Sequence, residues 1–332
     1  MKKLTSLSLS LACALASTAQ LTITSADMPN ASDSLYVSNT ASLGTHNPSE
    51  TGANYNWDYS DLKPTLQQPL KFAAPGKFPS IYNFIFNAAN TSYGKNNLLI
   101  AGSGIPMLKI DAAYDFFKES GASFNQIGVG YVINATPLPF IYKHPDIIYK
   151  FPMNYLNEDS CDFDFGLALP GYGYYGQSGH RYNVVDGWGE LKTPLGTYTT
   201  LRVFSTIDIT DTLYIESDSI GFPMKRPARY EYKWFAANSK IPVLQIDAML
   251  VSNQLVYTTT FIDTLRKDVI HVGMDENSRN LVALQAYPNP ASEEFTLSYK
   301  LSSGAAVKIT LTDMLGKHVM QLGDELQQAG EH

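Results

Sequence analysis

Apolar and polar residues alternate along many short segments of this chain, and turn-forming residues separate one segment from the next. Ile127, Val129 and Tyr131, for example, recur at a period of two. This period places successive side chains on opposite faces of a β-strand, so one face of each segment can be buried. Charged residues make up only 17% of the chain, which favours strands and turns over solvated amphipathic helices. The pattern therefore predicts an all-β protein.

Turn chemistry predicts where neighbouring strands pair. An alternation that begins at Tyr114 reaches turn residues at Gly121 and then continues, which indicates a β-hairpin. A second hairpin is predicted to pair residues 182–185 with residues 188–191, because Asp186-Gly187 suits a two-residue turn. Later strands are expected at three segments: residues 229–235, 243–250 and 255–264.

The number of strands indicates how the main domain buries its core. Many β-segments without a sustained helical period are most simply packed as two sheets, each with one buried face. We expect a β-sandwich or jelly-roll-like main domain over residues 20–265, with a split into two units near Tyr149 as the alternative. The polar stretch over residues 266–285 is predicted to be a surface linker.

The amino terminus has the features of an export signal. Lys2 and Lys3 precede a short apolar run, and small residues follow it. This pattern predicts a Sec-type signal peptide over residues 1–19 that is cleaved after Ala19, with Ala16 as the alternative site. The apolar run is shorter than the roughly 20 residues that a spanning helix needs. No membrane span is therefore predicted.

The two cysteines agree with export. Cys13 would leave with the signal peptide, so the mature chain would keep only Cys161 and could form no internal disulfide. The acidic neighbours of Cys161 should raise the pKa of its thiol, which favours a structural role over a nucleophilic one. In an alternative interpretation Cys13 carries a lipid anchor, but Ser10 stands where the lipid-attachment motif usually has a branched apolar residue.

The most specific motif lies near the carboxyl terminus. Tyr287, Pro288, Asn289 and Pro290 are consecutive, an alternating strand follows them, and a later strand ends in a turn that contains Gly316. The two prolines stiffen the entry to the first strand. This combination resembles the type A C-terminal sorting domain of the type IX, or Por, secretion system of secreted Bacteroidota proteins.

The resemblance implies a route and a place. It implies that the type IX machinery handles the chain as a partner and carries it through the outer membrane, so that the protein is secreted or held on the outer cell surface. It also implies a small Ig-like β-sandwich over residues 286–332. The family's domain continues through further strands, so we expect this sorting domain to be incomplete at His332.

Segments of the main domain resemble a group of secreted proteins that carry the same tail and have no assigned activity. The segments are Asn56-Trp57-Asp58, Asp186-Gly187-Trp188-Gly189, Thr193-Pro194-Leu195-Gly196 and Lys233-Trp234-Phe235. This resemblance implies that the main domain is one recurring unit.

Charge and the absence of known catalytic motifs limit the function classes. The formal net charge is -7 and no Lys/Arg cluster occurs, which argues against nucleic acid as a partner. The chain has no zinc-protease motif and no phosphate-binding glycine loop, so no cofactor is expected. We favour a noncatalytic protein that binds a glycan or another surface component. The alternative is an exported hydrolase, either a glycosidase or an esterase or peptidase.

Two residue pairs are candidates for chemistry. Ser178 and His180 would lie on the same side of a strand, as a hydrolase pair requires, but the sequence assigns no third orienting carboxylate. Asp162 and Asp164 could bind calcium or serve as the acid and base of a glycosidase. Their alternation with phenylalanines is also typical of a half-buried strand, and this interpretation is favoured.

Aromatic residues supply a candidate ligand platform. Tyr172, Tyr174 and Tyr175 lie among glycines and could stack on a sugar ring, together with Trp188. A loop that folds the tyrosine rings inward, with Trp188 as a core residue, is the favoured interpretation.

Four hydroxyl residues follow Asp and precede an apolar residue, which is the setting of O-glycosylation in proteins exported by this phylum. They are Ser34, Thr212, Ser219 and Thr264. Asp-Ser and Asp-Thr pairs are equally common at turns and strand ends.

Overall fold

A computed structural model describes residues 21–87, 92–97, 104–105, 108–169, 173–215, 220–251, 254–266, 270–271, 281–287, 294, 296–301, 303–312 and 318–332. Strands dominate these residues, and the prediction of an all-β protein is confirmed. Several predicted features lie outside the described residues: Ala19, Tyr172, Ser219, Pro288, Asn289, Pro290 and Gly316.

The strands follow one another with few helical interruptions. They are β1 (Ser34–Thr40), β2 (Ala53–Asp58), β3 (Leu66–Lys71), β4 (Ser92–Asn96), β5 (Gly104–Ile105), β6 (Leu108–Glu119), β7 (Ser123–Ile133), β8 (Thr136–Lys150), β9 (Glu158–Leu169), β10 (Gly173–Thr193), β11 (Gly196–Ile215), β12 (Ile220–Lys225), β13 (Arg229–Phe235), β14 (Leu244–Val251), β15 (Gln254–Asp263), β16 (Ile270–His271), β17 (Leu281–Tyr287), β18 (Thr296–Leu301), β19 (Ala305–Thr312), β20 (His318–Gln327) and β21 (Gly330–Glu331). The described residues also contain one α-helix, α1 (Ser80–Phe86), and 3-10 turns at Ser25–Asp27 and Pro75–Lys77.

The chain forms two compact units, Met1–His271 and Val272–His332. In the first unit, β1 to β16 belong to one sheet in the order β16-β3-β1-β15-β14-β13-β11-β10-β9-β8-β7-β6-β4, with β12 on β11, β2 on β10 and β5 on β6. The neighbours are antiparallel except for the β2–β10 and β3–β16 pairs.

The single sheet curls so that its two ends meet. The Phe72 ring, just after β3, lies 5.8 Å from the Tyr93 ring of β4, although these strands stand near opposite ends of the strand order. Ala73 and Gly94 exchange backbone hydrogen bonds of 2.9 and 2.8 Å. The two opposed faces expected from a sandwich therefore belong to one continuous sheet.

Alternation decides which side chains enter the core. Phe163 and Phe165 of β9 are each 3% exposed on the inner face, whereas Asp162 and Asp164 face solvent. The half-buried strand predicted for this segment is confirmed. Inner-face residues of neighbouring strands complete this part of the core: Val129, Tyr131, Phe140, Tyr142 and Ile207.

The helix α1 covers part of the outer face near β6. Tyr82 and Phe86 are four residues apart, which places both on one side of the helix. The Phe86 ring stacks on Phe116 of β6 at 4.2 Å. A Cβ atom on Gly130 of β7 would lie 2.8 Å from the Tyr82 ring, so this glycine permits the close approach of the helix.

Of the two hairpins predicted from the sequence, the structure contains one and lacks the other. The hairpin of β6 and β7 is confirmed, and β13 spans the residues predicted for it. The turn predicted at Asp186-Gly187 is wrong, because β10 continues through both residues and turns into β11 at Pro194-Leu195. Asp186 instead lies at a β-bulge.

Tertiary packing explains the bulge at Asp186. Its carboxylate accepts a hydrogen bond from the guanidinium of Arg202 on β11, which is only 1% exposed. A Cβ atom on Gly187 would overlap the Thr51 hydroxyl and lie 3.1 Å from the Trp57 ring. Asp-Gly is thus used to pack the segment before β2 against the sheet and to neutralise a buried arginine.

A network of ion pairs occupies the inner face between β8 and β13. Arg181 donates to Asp146 at 2.7 and 2.8 Å and to Glu231 at 3.2 Å, and Lys233 lies 2.7 Å from Glu231. Burial favours the neutral form of Glu231, but the adjacent Lys233, Arg229 and Arg181 outweigh it and hold the Glu231 pKa well below its usual range. The buried charges are therefore paired.

The second unit contains two small sheets in its described residues. β18 pairs with β17 and with β21, and β19 pairs with β20. Tyr299 and Leu301 alternate with exposed Lys300 on β18 and are 9% and 5% exposed. Alternation along this strand buries one face, as the sequence predicts.

Candidate functional site

Most of the chemistry-bearing candidates lie on the solvent-facing side of β9, β10, β11 and β12, which we call the outer strip. It comprises Asp162, Asp164, Tyr174, Ser178, His180, Asp208, Thr210, Thr212, Tyr214 and Lys225. Directly paired residues of antiparallel strands share a face, so the register forms rows across the strands. One row contains Asp164, Ser178, Thr210 and Lys225, and another contains Asp162, His180 and Asp208.

Two histidines contact the aspartates of the outer strip. His180 Nδ1 lies 2.6 Å from Asp162 Oδ1, and His144 of β8 contacts Asp164. The side chains of Asp162 and His180 are 87% and 52% exposed. Asp162 is therefore the carboxylate partner of His180 that the sequence did not assign. Ser178 lies on the same side of β10 as His180.

Asp162 and Asp164, the two weak calcium candidates, are thus already in contact with histidines. Within the described ranges, no group of three or more His, Cys, Asp or Glu side chains is arranged to hold a metal ion.

Tyr174 lies flat on the sheet because glycines lie beneath it. A Cβ atom on Gly166 of β9 would overlap the Tyr174 Oη and lie 2.7 Å from Cζ, and one on Gly176 would lie 2.6 Å from Oη. Gly166 and Gly176 are directly paired, so the hydroxyl end of the ring covers both positions. Tyr174 remains 39% exposed. The hydroxyl end of the ring therefore packs on the two glycines, while the residue stays partly open to solvent.

Tyr214 is a second exposed tyrosine that sequence analysis missed. It is paired directly with Tyr174 across β10 and β11, and it is 40% exposed. A Cβ atom on Gly221 of β12 would lie 3.0 Å from Tyr214 Cδ2, so this ring also leans on a glycine. The Asp-Thr-Leu-Tyr stretch gave no signal of this role, because the pairing of Tyr214 with Tyr174 depends on the register of β10 with β11.

Other residues of the predicted platform lie elsewhere. Residues 173–176 form the start of β10 rather than a loop, so Tyr175 points to the inner face, where it makes edge-to-face contacts with Phe140 and Phe165. Burial, followed by the nearby Asp211 carboxylate, raises the pKa of Tyr175 to about 12. Trp188 is at the other end of β10 and packs against a core cluster.

Cys161 is half-buried on β9. Burial raises the pKa of its thiol to about 11, and the Asp146 carboxylate adds to this effect. The predicted direction is confirmed, but the main cause is burial, and Asp146 comes from β8 rather than from the acidic neighbours in sequence.

A small polar cleft lies beside β2, and sequence analysis did not anticipate it. Its volume is about 160 Å³, and its lining is Thr45, His46, Asn47, Glu50, Asn56, Trp57, Asp58 and Tyr59. His46 Nε2 lies 2.6 Å from Asp61 Oδ1. Trp57 and Tyr59 are each only 3% exposed, so their ring faces are not open to a ligand.

The candidate modification sites differ in the exposure of their aspartates. Ser34, Thr212 and Thr264 are exposed. Asp211 and Asp263 are 6% and 5% exposed, and each pairs with an arginine.

Comparison with known proteins identifies the tail. Residues 285–331 match the family described as the secretion system C-terminal sorting domain, which confirms the resemblance seen in the sequence. This domain marks the chain for export by the type IX secretion system to the cell surface or the medium. Within the described part of the chain, no helix is both long and apolar enough to cross a membrane.

The comparisons assign no activity to the main domain. No curated protein matches this chain. A crystal structure of a "putative lipoprotein" from Parabacteroides distasonis is similar over 53% of this chain and 88% of its own chain, with 12% identity and a TM-score of 0.20. A likeness at this level supports no inference about fold or function. The fold and the tail define an exported all-β protein.

Proposed function

We propose that the main domain is a noncatalytic module that binds a neutral glycan outside the cell through the outer strip. The observation that carries this proposal is the Tyr174 ring, whose hydroxyl end packs on Gly166 and Gly176 while the residue remains 39% exposed. An exposed aromatic face offers an apolar surface to the C–H groups of a sugar ring, and the nearby hydroxyl and carboxylate groups suit sugar hydroxyls.

The charge of the outer strip supports a neutral ligand. Asp162, Asp164 and Asp208 contribute carboxylates, whereas Lys225 is the only Lys or Arg of the strip. Lys225 itself lies 3.7 Å from Asp208. A polyanionic glycan would therefore be repelled.

A glycan array of neutral and anionic oligosaccharides, probed with the exported protein, tests this function. We expect binding to neutral glycans that Tyr174→Ala lowers and that Tyr36→Ala leaves unchanged. Tyr36 is a matched control because it is 38% exposed on β1, outside the outer strip. Equal binding by both variants, or binding to anionic glycans only, would contradict the proposal.

A hydrolase is the second candidate, because the contact between His180 and Asp162 supplies the orienting carboxylate of a catalytic triad. Ser178 would be the nucleophile and His180 the base. The pair is open to water and His180 is half-exposed, which does not suit a site that must exclude solvent. Turnover of ester or glycoside substrates that is abolished by both Ser178→Ala and Asp162→Asn would establish this function instead.

We further propose the processing predicted from the sequence: a signal peptide over residues 1–19, a main domain over residues 20–265, a linker over residues 266–285 and a sorting domain over residues 286–332. Mass spectrometry of the exported protein tests the first step, with Gln20 as the expected new amino terminus. A terminus at Ser17 would instead indicate cleavage after Ala16.

A further inference from the structure

We infer that the ligand of the outer strip is an unbranched oligosaccharide that runs across β10 and β11 and stacks on both Tyr174 and Tyr214. This inference rests on the proposed function and specifies the shape of the ligand and its direction on the sheet.

The two tyrosine rings lean away from each other. Tyr174 and Tyr214 are directly paired, but the hydroxyl end of Tyr174 lies over Gly166 of β9 and Gly176 of β10, whereas Tyr214 Cδ2 lies beside Gly221 of β12. Neighbouring strands are about 4.8 Å apart, so rings seated on the far sides of β10 and β11 are separated by about 10 Å. One sugar ring cannot cover both tyrosines, whereas a chain of sugars that crosses the strands can.

The side chains beside the two rings project little from the sheet. The row next to the tyrosines consists of Gly166, Gly176, Thr212 and Pro223, whose side chains are absent or short. Because no large side chain of this row projects between the two rings, an extended ligand can contact both rings without bending.

A row of polar groups runs parallel to the line between the tyrosines. Asp164, Ser178, Thr210 and Lys225 stand side by side on four consecutive strands. Along each strand, this polar row lies four residues from the row that contains Tyr174 and Tyr214. The row that contains Gly166 and Gly176 lies between the two. Each step along it is one strand spacing, so it offers repeated hydrogen-bonding groups along the length of a ligand that crosses the strands. A branched or compact glycan would use only part of this row.

Neutral linear oligosaccharides are suitable probes. We would titrate the exported protein with β-1,4-linked glucose, mannose and xylose oligomers and with α-1,4-linked glucose oligomers, each from the disaccharide to the hexasaccharide. We expect affinity to rise with length until the chain spans both rings. Tyr174→Ala and Tyr214→Ala should each lower the affinity for the hexasaccharide by roughly three- to tenfold, which is the usual contribution of an aromatic contact.

Loss of either ring should also remove the dependence on length, because only one stacking position remains. Gly221→Ala should displace the Tyr214 ring without deleting it. This variant should have a lower affinity for long chains but an unchanged affinity for disaccharides. Tyr36→Ala is again the control, and thermal unfolding of each variant shows whether it is folded.

The outcomes separate this inference from the proposed function. If Tyr174→Ala weakens binding while Tyr214→Ala does not, and affinity is independent of length, the two-ring inference is wrong and glycan binding at Tyr174 stands. If no member of the four series binds, or if neither tyrosine matters, both the inference and the proposed function are wrong.

Discussion

The hydroxyl end of Tyr174 lies over Gly166, and a Cβ atom on this glycine would overlap the tyrosine Oη. The two residues are on different strands and are brought together by the pairing of β9 with β10. This contact orients the one aromatic side chain on the outer strip that sequence analysis selected, and it makes a glycine part of the candidate site.

Gly166→Ala should therefore displace the Tyr174 ring. The clash is with the free end of a flexible side chain, so we expect the free energy of unfolding to change by less than about 1 kcal/mol. Binding to neutral glycans should fall as far as in Tyr174→Ala. The measurement combines glycan titration with urea unfolding, and Gly121→Ala is the control because nothing lies within 4 Å of its Cβ position. Unchanged binding in Gly166→Ala would show that glycan binding does not need Tyr174 to pack on Gly166.

Asp146→Ala should strongly destabilise the main domain. The substitution removes the two shorter hydrogen bonds of Arg181, whose side chain is 6% exposed, and leaves it only the longer one to Glu231, which Lys233 shares. Removal of one partner from a buried ion pair costs about 3–5 kcal/mol. Asp208→Ala breaks the exposed contact with Lys225 and should cost less than about 1 kcal/mol. Urea unfolding of both variants measures the difference, and similar values would mean that the buried network is not what holds this region.

Asp211 should contribute stability that acid removes. Burial works to raise the pKa of Asp211, but hydrogen bonds from Arg226 and Gln177 outweigh it and leave the pKa below its usual value. The folded state then binds a proton less readily than the unfolded state. The stabilisation is present above the usual carboxyl pKa of about 4 and is lost as the pH falls through the folded-state pKa.

Asp211→Asn tests this dependence. The difference in the free energy of unfolding between wild type and variant should be largest above about pH 5 and should shrink toward about pH 3. Urea unfolding across this range measures it. A difference that stays constant with pH would show that the Asp211 charge is not linked to folding.

Cys161 should react slowly with thiol reagents while the protein is folded. Its pKa is raised to about 11, compared with about 8.5 for a free cysteine, so the reactive thiolate is scarce near neutral pH. In a chain that begins at Gln20, Cys161 is the only thiol. We expect labelling to be roughly a hundredfold slower in buffer than in denaturant at the same pH. Equal rates would indicate that Cys161 is accessible and activated.

O-glycosylation should depend on folding where the glycosylating enzyme must contact the aspartate of each Asp-Ser or Asp-Thr pair. Asp211 and Asp263 are buried in ion pairs, whereas Asp33 is half-buried and Ser34 beside it is exposed. Among Ser34, Thr212 and Thr264, only Ser34 should be modified when folded, unmodified protein is exposed to a glycosylating cell extract. Unfolded chain should also be modified at Thr212 and Thr264. Peptide mass spectrometry measures both states, and modification of Thr212 in the folded protein would contradict this expectation.

Local patterns predicted several strands correctly. The alternation at Asp162 to Phe165 sorted inward from outward residues, and the segment that turns near Gly121 forms the hairpin of β6 and β7. Such features depend on the period of two and on nearby turn residues. The same reasoning failed at Asp186-Gly187, where a buried Arg202 and the packing of Thr51 against the sheet outweigh the preference of Asp-Gly for a turn.

The candidate site was predicted only in part, because local patterns do not reveal how strands pair. Tyr174, Ser178, His180 and Asp162 were selected by residue type, and the period of two correctly placed Ser178 and His180 on one side of β10. Tyr214 was missed, because its relation to Tyr174 arises from the register of β10 with β11.

By itself, the sequence determined that this chain is an all-β protein and that its tail directs type IX export, because alternation and the sorting motif are encoded by residues close together in the chain. The tertiary structure decided that one sheet curls onto itself, that Tyr175 points inward while Tyr174 points outward, and that Gly166 and Gly221 seat two tyrosines. These relations depend on strand register, which is set by the burial of whole faces rather than by any local run of residues.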